Sequence, residues 1–219
     1  MDRIERAICK KIAPLLKQHG FALHKDWGYF VRPQPYGHDA FLVVNQGTAG
    51  VGLRHFEIAP HCGIRHDRIE IPWNTLGMVY GEGQLQTDTL VLGFPRGMAA
   101  PTLKVMPATM DADIERIAAE TEAVFTQTAL PFYARFADLR AIEELANKQP
   151  LADFMPYTVG GPMEDRAMRS LLLAKAVNPQ RYAAVRQAFI KLDQGMYPRE
   201  KRLQMLQRVD EMVLPDGQA

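Results

Sequence analysis

The sequence predicts an α+β fold: an antiparallel sheet of five to seven strands with helices packed on one face, followed by a C-terminal helical appendage. Three observations carry this. Short apolar runs separated by Gly and Pro breaks fill residues 21–106; near Thr109 the apolar period lengthens from two to about three and a half; after Pro162 three helical segments each start at or beside a proline. Most connections between the strands are short, which favours antiparallel pairing. Residues 1–148 then form the α+β domain, 149–162 a hinge rich in Pro and Gly, and 163–219 the appendage.

The first element is a helix over 2–19. Ile4, Ile8, Ile12, Leu15 and Leu16 share one stripe, Pro14 introduces a kink, and Gly20 is placed as a left-handed stop. Its other face carries Arg3, Arg6, Lys10 and Lys17, a basic row that suits either solvent or an acidic partner. Residues 21–25 and 29–32 read as a hairpin around Asp26-Trp-Gly28, in a corner filled by Trp27, Tyr29, Phe30 and Tyr36. A strand over 41–46 follows. Further strands are expected over 89–94 and 102–106, beyond a Gly-rich crossing at 77–83.

The sheet is organised around residues 41–73. Pro60-His-Cys-Gly63 has turn chemistry, so 53–59 and 64–73 read as a hairpin, with Ile69, Ile71 and Trp73 alternating with polar residues. Placing Ala59 opposite Ile64 sets Glu57 opposite His66 and His55 opposite Arg68, and the four share a face. Directly opposed β-carbons lie roughly 5 Å apart. His55, Glu57 and His66 are thus the candidate metal ligands: two imidazoles and one carboxylate, a set able to hold a divalent zinc or iron ion. The plainer reading of the same face is an exposed surface on which Glu57 pairs with His66 and Arg68 and nothing binds. His61 and Cys62 would sit together at the hairpin tip.

From 109 onward Ile114, Ile117, Ala118, Thr121, Val124, Phe125 and Thr128 make one helical stripe, with Asp111, Asp113 and Glu115 at the positive end of the helix dipole. Pro131 breaks the pattern, and shorter helices continue it, Asp138 serving as a cap. The last three helices run to about Val177, Gln194 and Val213.

Composition excludes several classes. The 26 Lys and Arg balance 25 Asp and Glu, so no global field favours nucleic acid or anionic membrane. The single serine, Ser170, lies mid-helix and offers no hydrolase nucleophile; no phosphate-binding or dinucleotide-binding loop is present. Two cysteines without Cys-x-x-Cys spacing, no signal-like apolar start and no membrane-length apolar run predict a cytoplasmic protein. No cofactor is expected, and catalytic residues are not identifiable.

Three stretches carry a resemblance: Leu15-Leu-Lys-Gln-His-Gly-Phe21, Tyr29-Phe-Val-Arg32 and Leu130-Pro-Phe-Tyr-Ala-Arg-Phe136. Over about residues 1–145 the chain resembles a bacterial family known as a domain of unknown function, some members of which are immunity-like proteins of toxin systems. The resemblance implies a non-enzymatic, protein-binding role and supplies no catalytic residues. The alternative expectation is a metal-dependent enzyme using the His55, Glu57 and His66 cluster.

Overall fold

The computed structural model describes residues 3–24, 29–45, 56–75, 89–92, 103–105, 110–148, 157–159, 163–191 and 198–214. Their contacts divide the chain into two compact units, Met1–Gly63 with Leu92–Ala134 and Ile64–Val91 with Arg135–Ala219. This partition differs from the one expected at 149–162. The C-terminal helices expected beyond 163 are present, and they share their unit with residues 64–91 and 135–148.

In the first unit, helix α1 (Arg3–Gln18) buries Ile4, Ile8, Cys9, Ile12 and Leu16. It ends as its sequence requires. Gly20 adopts φ +82°, the Phe21 N–H donates to the Leu16 carbonyl and the Gly20 N–H to that of Lys17, both at 3.0 Å. This is the Schellman pairing that satisfies the carbonyls left open by the last turn. Strands β1 (Ala22–Leu23) and β2 (Phe30–Gln34) form the expected hairpin, with Ala22 opposite Val31. The next strand starts earlier than expected: β3 (Gly37–Asn45) returns from β2 through a two-residue turn at Pro35-Tyr36, with Gln34 opposite Gly37. Pro presets the first turn position, and Gly37 takes φ +143°.

The largest departure lies in β4, a single strand spanning Phe56–His66 with no turn at Pro60-His-Cys-Gly63. Residues 58–60 and 62–66 are buried, as in a strand covered on both faces. A turn there would strand buried backbone groups without partners, so burial overrides the turn chemistry. In the same way 67–75, expected as strand, is helix α2 (Asp67–Thr75). Ile69, Glu70, Pro72 and Trp73 face inward while Ile71 stands 53% exposed. Alternation over so few residues satisfied both periods.

The sheet runs β1-β2-β3-β4, with β6 (Leu103–Val105) antiparallel on β4, Phe56 opposite Val105. In the second unit β5 (Leu90–Leu92) and β7 (Tyr157–Val159) follow the end of β4. Helix α3 (Met110–Val124) packs against α1 and β6, burying Ile114, Ile117, Ala118 and Thr121. Pro131 does not end it. A π turn over Phe125–Ala129, in which the Leu130 N–H donates to the Phe125 carbonyl, carries the chain into α4 (Leu130–Phe136). The wider turn accommodates a residue that has no N–H and would crowd the carbonyl four residues back.

Asp138 caps α5 (Leu139–Lys148), its Oδ1 accepting from the Arg140 N–H at 2.9 Å. Helices α6 (Met163–Val177), α7 (Pro179–Ile190) and α8 (Arg199–Glu211) follow, with Pro179 in the first turn of α7. Leu171 to Ala174 of α6 are fully buried, and α6 packs on α2, α5 and α7. Of the expected aromatic corner Phe30 is buried and Trp27 lies outside the described residues, as do the glycines at 77–83 and most of 149–162.

Candidate functional site

The proposed metal ligands depended on a hairpin that β4 replaces. In one continuous strand Glu57 and His66 stand nine positions apart, roughly 30 Å at the rise of an extended chain. Glu57 is opposite Lys104 in the ladder. His66 is buried with Nε2 at 2.9 Å from the Phe136 carbonyl, an acceptor, so that nitrogen carries a proton and cannot ligate. His55 lies outside the described residues. Among the described residues no three His, Cys, Asp or Glu groups gather to hold a metal. Nor do His61 and Cys62 pair at a tip: as neighbours in a strand they face opposite sides, and Cys62 is 0% exposed.

A dense polar arrangement among the described residues of the second unit is one that local sequence did not reveal. Glu70 of α2, 0% exposed, receives both Nε and Nη2 of Arg169 from α6 at 2.9 Å, a bidentate pair. The Thr89 hydroxyl donates to Glu70 Oε1 at 3.0 Å and accepts the His66 N–H at 2.9 Å. The Arg169 guanidinium also lies 4.7 Å from the Trp73 ring centroid. This centre fixes the start of β5, the end of β4, α2 and α6 against each other. A second network fastens α5 to α6 and α7: Asn147 donates to Glu143 and to the Ser170 carbonyl, each at 3.0 Å, and Arg181 reaches Glu143 at 3.4 Å. Their charges face partners within the fold.

The first unit repeats the pattern. Asp39, 0% exposed, accepts Arg32 Nε and Gln34 Nε2 at 2.9 Å and the Tyr36 hydroxyl at 2.7 Å. Burial and the neighbouring Asp39 carboxylate hold the Tyr36 phenol far above its usual range. Arg32 stacks over Phe21 at 4.8 Å and Tyr133 at 5.5 Å, and donates to the His19 carbonyl at 3.4 Å. Around it Phe21, Phe41 and Phe125 meet edge to face. Burial pushes the Cys62 thiol up to about 12, moderated by a hydrogen bond with Tyr133, and the Cys9 thiol up to about 11. Neither is a nucleophile at neutral pH.

What the chain presents outward differs between its helices. On α3, Arg116 bonds Asp113 at 3.2 Å and Glu120 at 2.8 Å, so that surface neutralises itself. On α1 the exposed residues are Arg3, Arg6, Lys10, Lys11, Pro14, Lys17 and Gln18, and Lys11 pairs with Glu115 of α3. The basic row read from the sequence is thus exposed on α1. No protein-family model matches the chain, and no curated protein or solved structure matches it either. No helix among the described residues is long and apolar enough to cross a membrane.

Proposed function

We propose that the chain is a non-enzymatic binding module whose partner is another protein, in the manner of the immunity-like proteins its first 145 or so residues resemble. One observation carries this reading. The buried charges of Glu70, Asp39 and Glu143 are taken up by pairs inside the fold, whereas α1 holds cations of one sign at the surface. The buried pairs are accounted for by the fold, and an exposed row of one sign is suited to steering a protein partner. The buried thiols Cys9 and Cys62 remain unpaired with each other, which supports a cytoplasmic setting.

The reading is tested by native mass spectrometry of the tagged chain purified gently from the organism that encodes it. A stoichiometric second protein is expected. A chain that carries only a metal ion, or a small molecule that it converts, would overturn the proposal.

A further inference from the structure

We infer that helix α8 is a releasable cover: a clasp of ionic and hydrogen bonds at its C-terminal turn holds it on α6 and α7, and it leaves them as one piece while they stay folded. The clasp centres on Asp210. Its Oδ2 receives Arg186 Nη2 at 2.8 Å and Nε at 3.1 Å, and its Oδ1 receives the same Nε at 3.1 Å and the Tyr182 hydroxyl at 2.6 Å. From α6, Lys175 Nζ donates to the Val209 and Asp210 carbonyls at 2.6 and 2.8 Å. A cation placed there satisfies carbonyls that the last turn of α8 leaves open and meets the negative end of its dipole.

Burial separates the cover from what lies beneath it. Met205, Leu206 and Val209 are the buried residues among the thirteen of α8, whereas residues 167–174 of α6 are buried without a break. A helix anchored by so few apolar side chains opens at a lower free energy than one enclosed along its length. The groups that grip α8 are also within reach of solvent. The side chains of Arg186 and Asp210 are 32% and 34% exposed, and at that exposure water and salt compete for the pair. Apolar surface continues from the clasp. Tyr182, Val185, Arg186 and Phe189 share one stripe of α7, and Met168, Leu171, Leu172 and Lys175 share one of α6, each at i, i+3, i+4 and i+7. The apolar members of both stripes are at most 4% exposed. Because α8 packs on both helices and is gripped by the polar members of these stripes, its release uncovers part of the apolar ones.

The test is hydrogen–deuterium exchange of the full chain at neutral pH, read peptide by peptide by mass spectrometry at rising urea below the unfolding transition. In the native chain α8 is expected to exchange about tenfold or more faster than the 167–174 stretch of α6, with a weaker dependence on urea, as a local opening requires. Asp210→Asn should speed α8 by about fivefold or more and leave the 167–174 stretch unchanged. Raising NaCl to about 1 M should speed α8 in the native chain and not in Asp210→Asn, because the salt acts by screening the pair. Arg186→Met should act as Asp210→Asn does, the double variant adding little to either. Exchange of α8 and α6 at one rate with one urea dependence overturns the inference, since α8 then opens only with its surroundings. So does native-like exchange of α8 in both single variants and at high salt, or a rise in α6 exchange as large as that in α8.

Discussion

Replacing Arg169 by methionine leaves Glu70 charged in a site with no access to water. Both side chains are at most 2% exposed. Breaking a buried pair by removing one partner costs about 3–5 kcal/mol, and the lost contact with the Trp73 face adds about 1 kcal/mol. The Thr89 hydroxyl donates to Glu70 Oε1 before and after the change and so cancels in the difference. A net loss of about 5 kcal/mol is a large share of the roughly 5–15 kcal/mol that holds a domain together. With a urea dependence of about 2 kcal/mol per molar, the midpoint should fall by about 2.5 M. The double variant Glu70→Leu/Arg169→Met removes both charges together. It should recover to within about 2 kcal/mol of the native chain, the remainder reflecting the orphaned Thr89 hydroxyl. Urea titration followed by tryptophan fluorescence and far-ultraviolet circular dichroism measures all three chains. An Arg169→Met chain within about 1 kcal/mol of native, or a double variant no more stable than the single, would refute this account of the centre.

Four smaller predictions follow from individual groups. Gly20→Ala should cost about 1–2 kcal/mol in denaturant titration, because φ +82° disfavours a side chain and the new Cβ would stand 3.4 Å from Arg32 Cδ. Burial lowers the His61 imidazole below its usual value, so the unfolded chain takes up a proton first; stability should decline as pH falls below about 6.5 and level off below the folded value, and His61→Gln should flatten that decline. Asp210 is held below its ordinary range by Arg186 first and Tyr182 next; its contribution is present above about pH 4 and lost as pH falls through the depressed value, and Asp210→Asn should speed amide exchange in α8 at neutral pH without altering α1. With Cys62 pushed up to about 12 and buried, its native thiolate at pH 8 is on the order of one part in ten thousand, so a thiol reagent should modify it only as the chain unfolds; prompt native labelling would contradict its burial.

The sequence was legible where one period ran for three turns or more. The stripe from Ile114 to Phe125 marked α3, the Ile4–Ile8–Ile12–Leu16 row marked α1 and its basic reverse, and the prolines at 179 and 198 marked the starts of α7 and α8. It misled where local chemistry and burial disagreed. Pro60 to Gly63 has the composition of a turn, yet these residues sit inside a strand whose length only tertiary packing decides. Ile69, Ile71 and Trp73 fit a strand and a helix alike over so short a run; a proline at 72 with Glu70 beside it was the available hint of α2. The Glu70–Arg169 pair joins residues 99 positions apart, and no local pattern announces such a contact. The hairpin that was to assemble the metal candidates is one strand in the structure, and His55 lies outside the described residues.

The most direct measurement is a native mass spectrum of the chain purified gently from the organism that encodes it. A stoichiometric second protein is the predicted result. A chain that carries no protein, or carries only a metal ion or a small molecule that it converts, would contradict the claim that this molecule works by binding another protein.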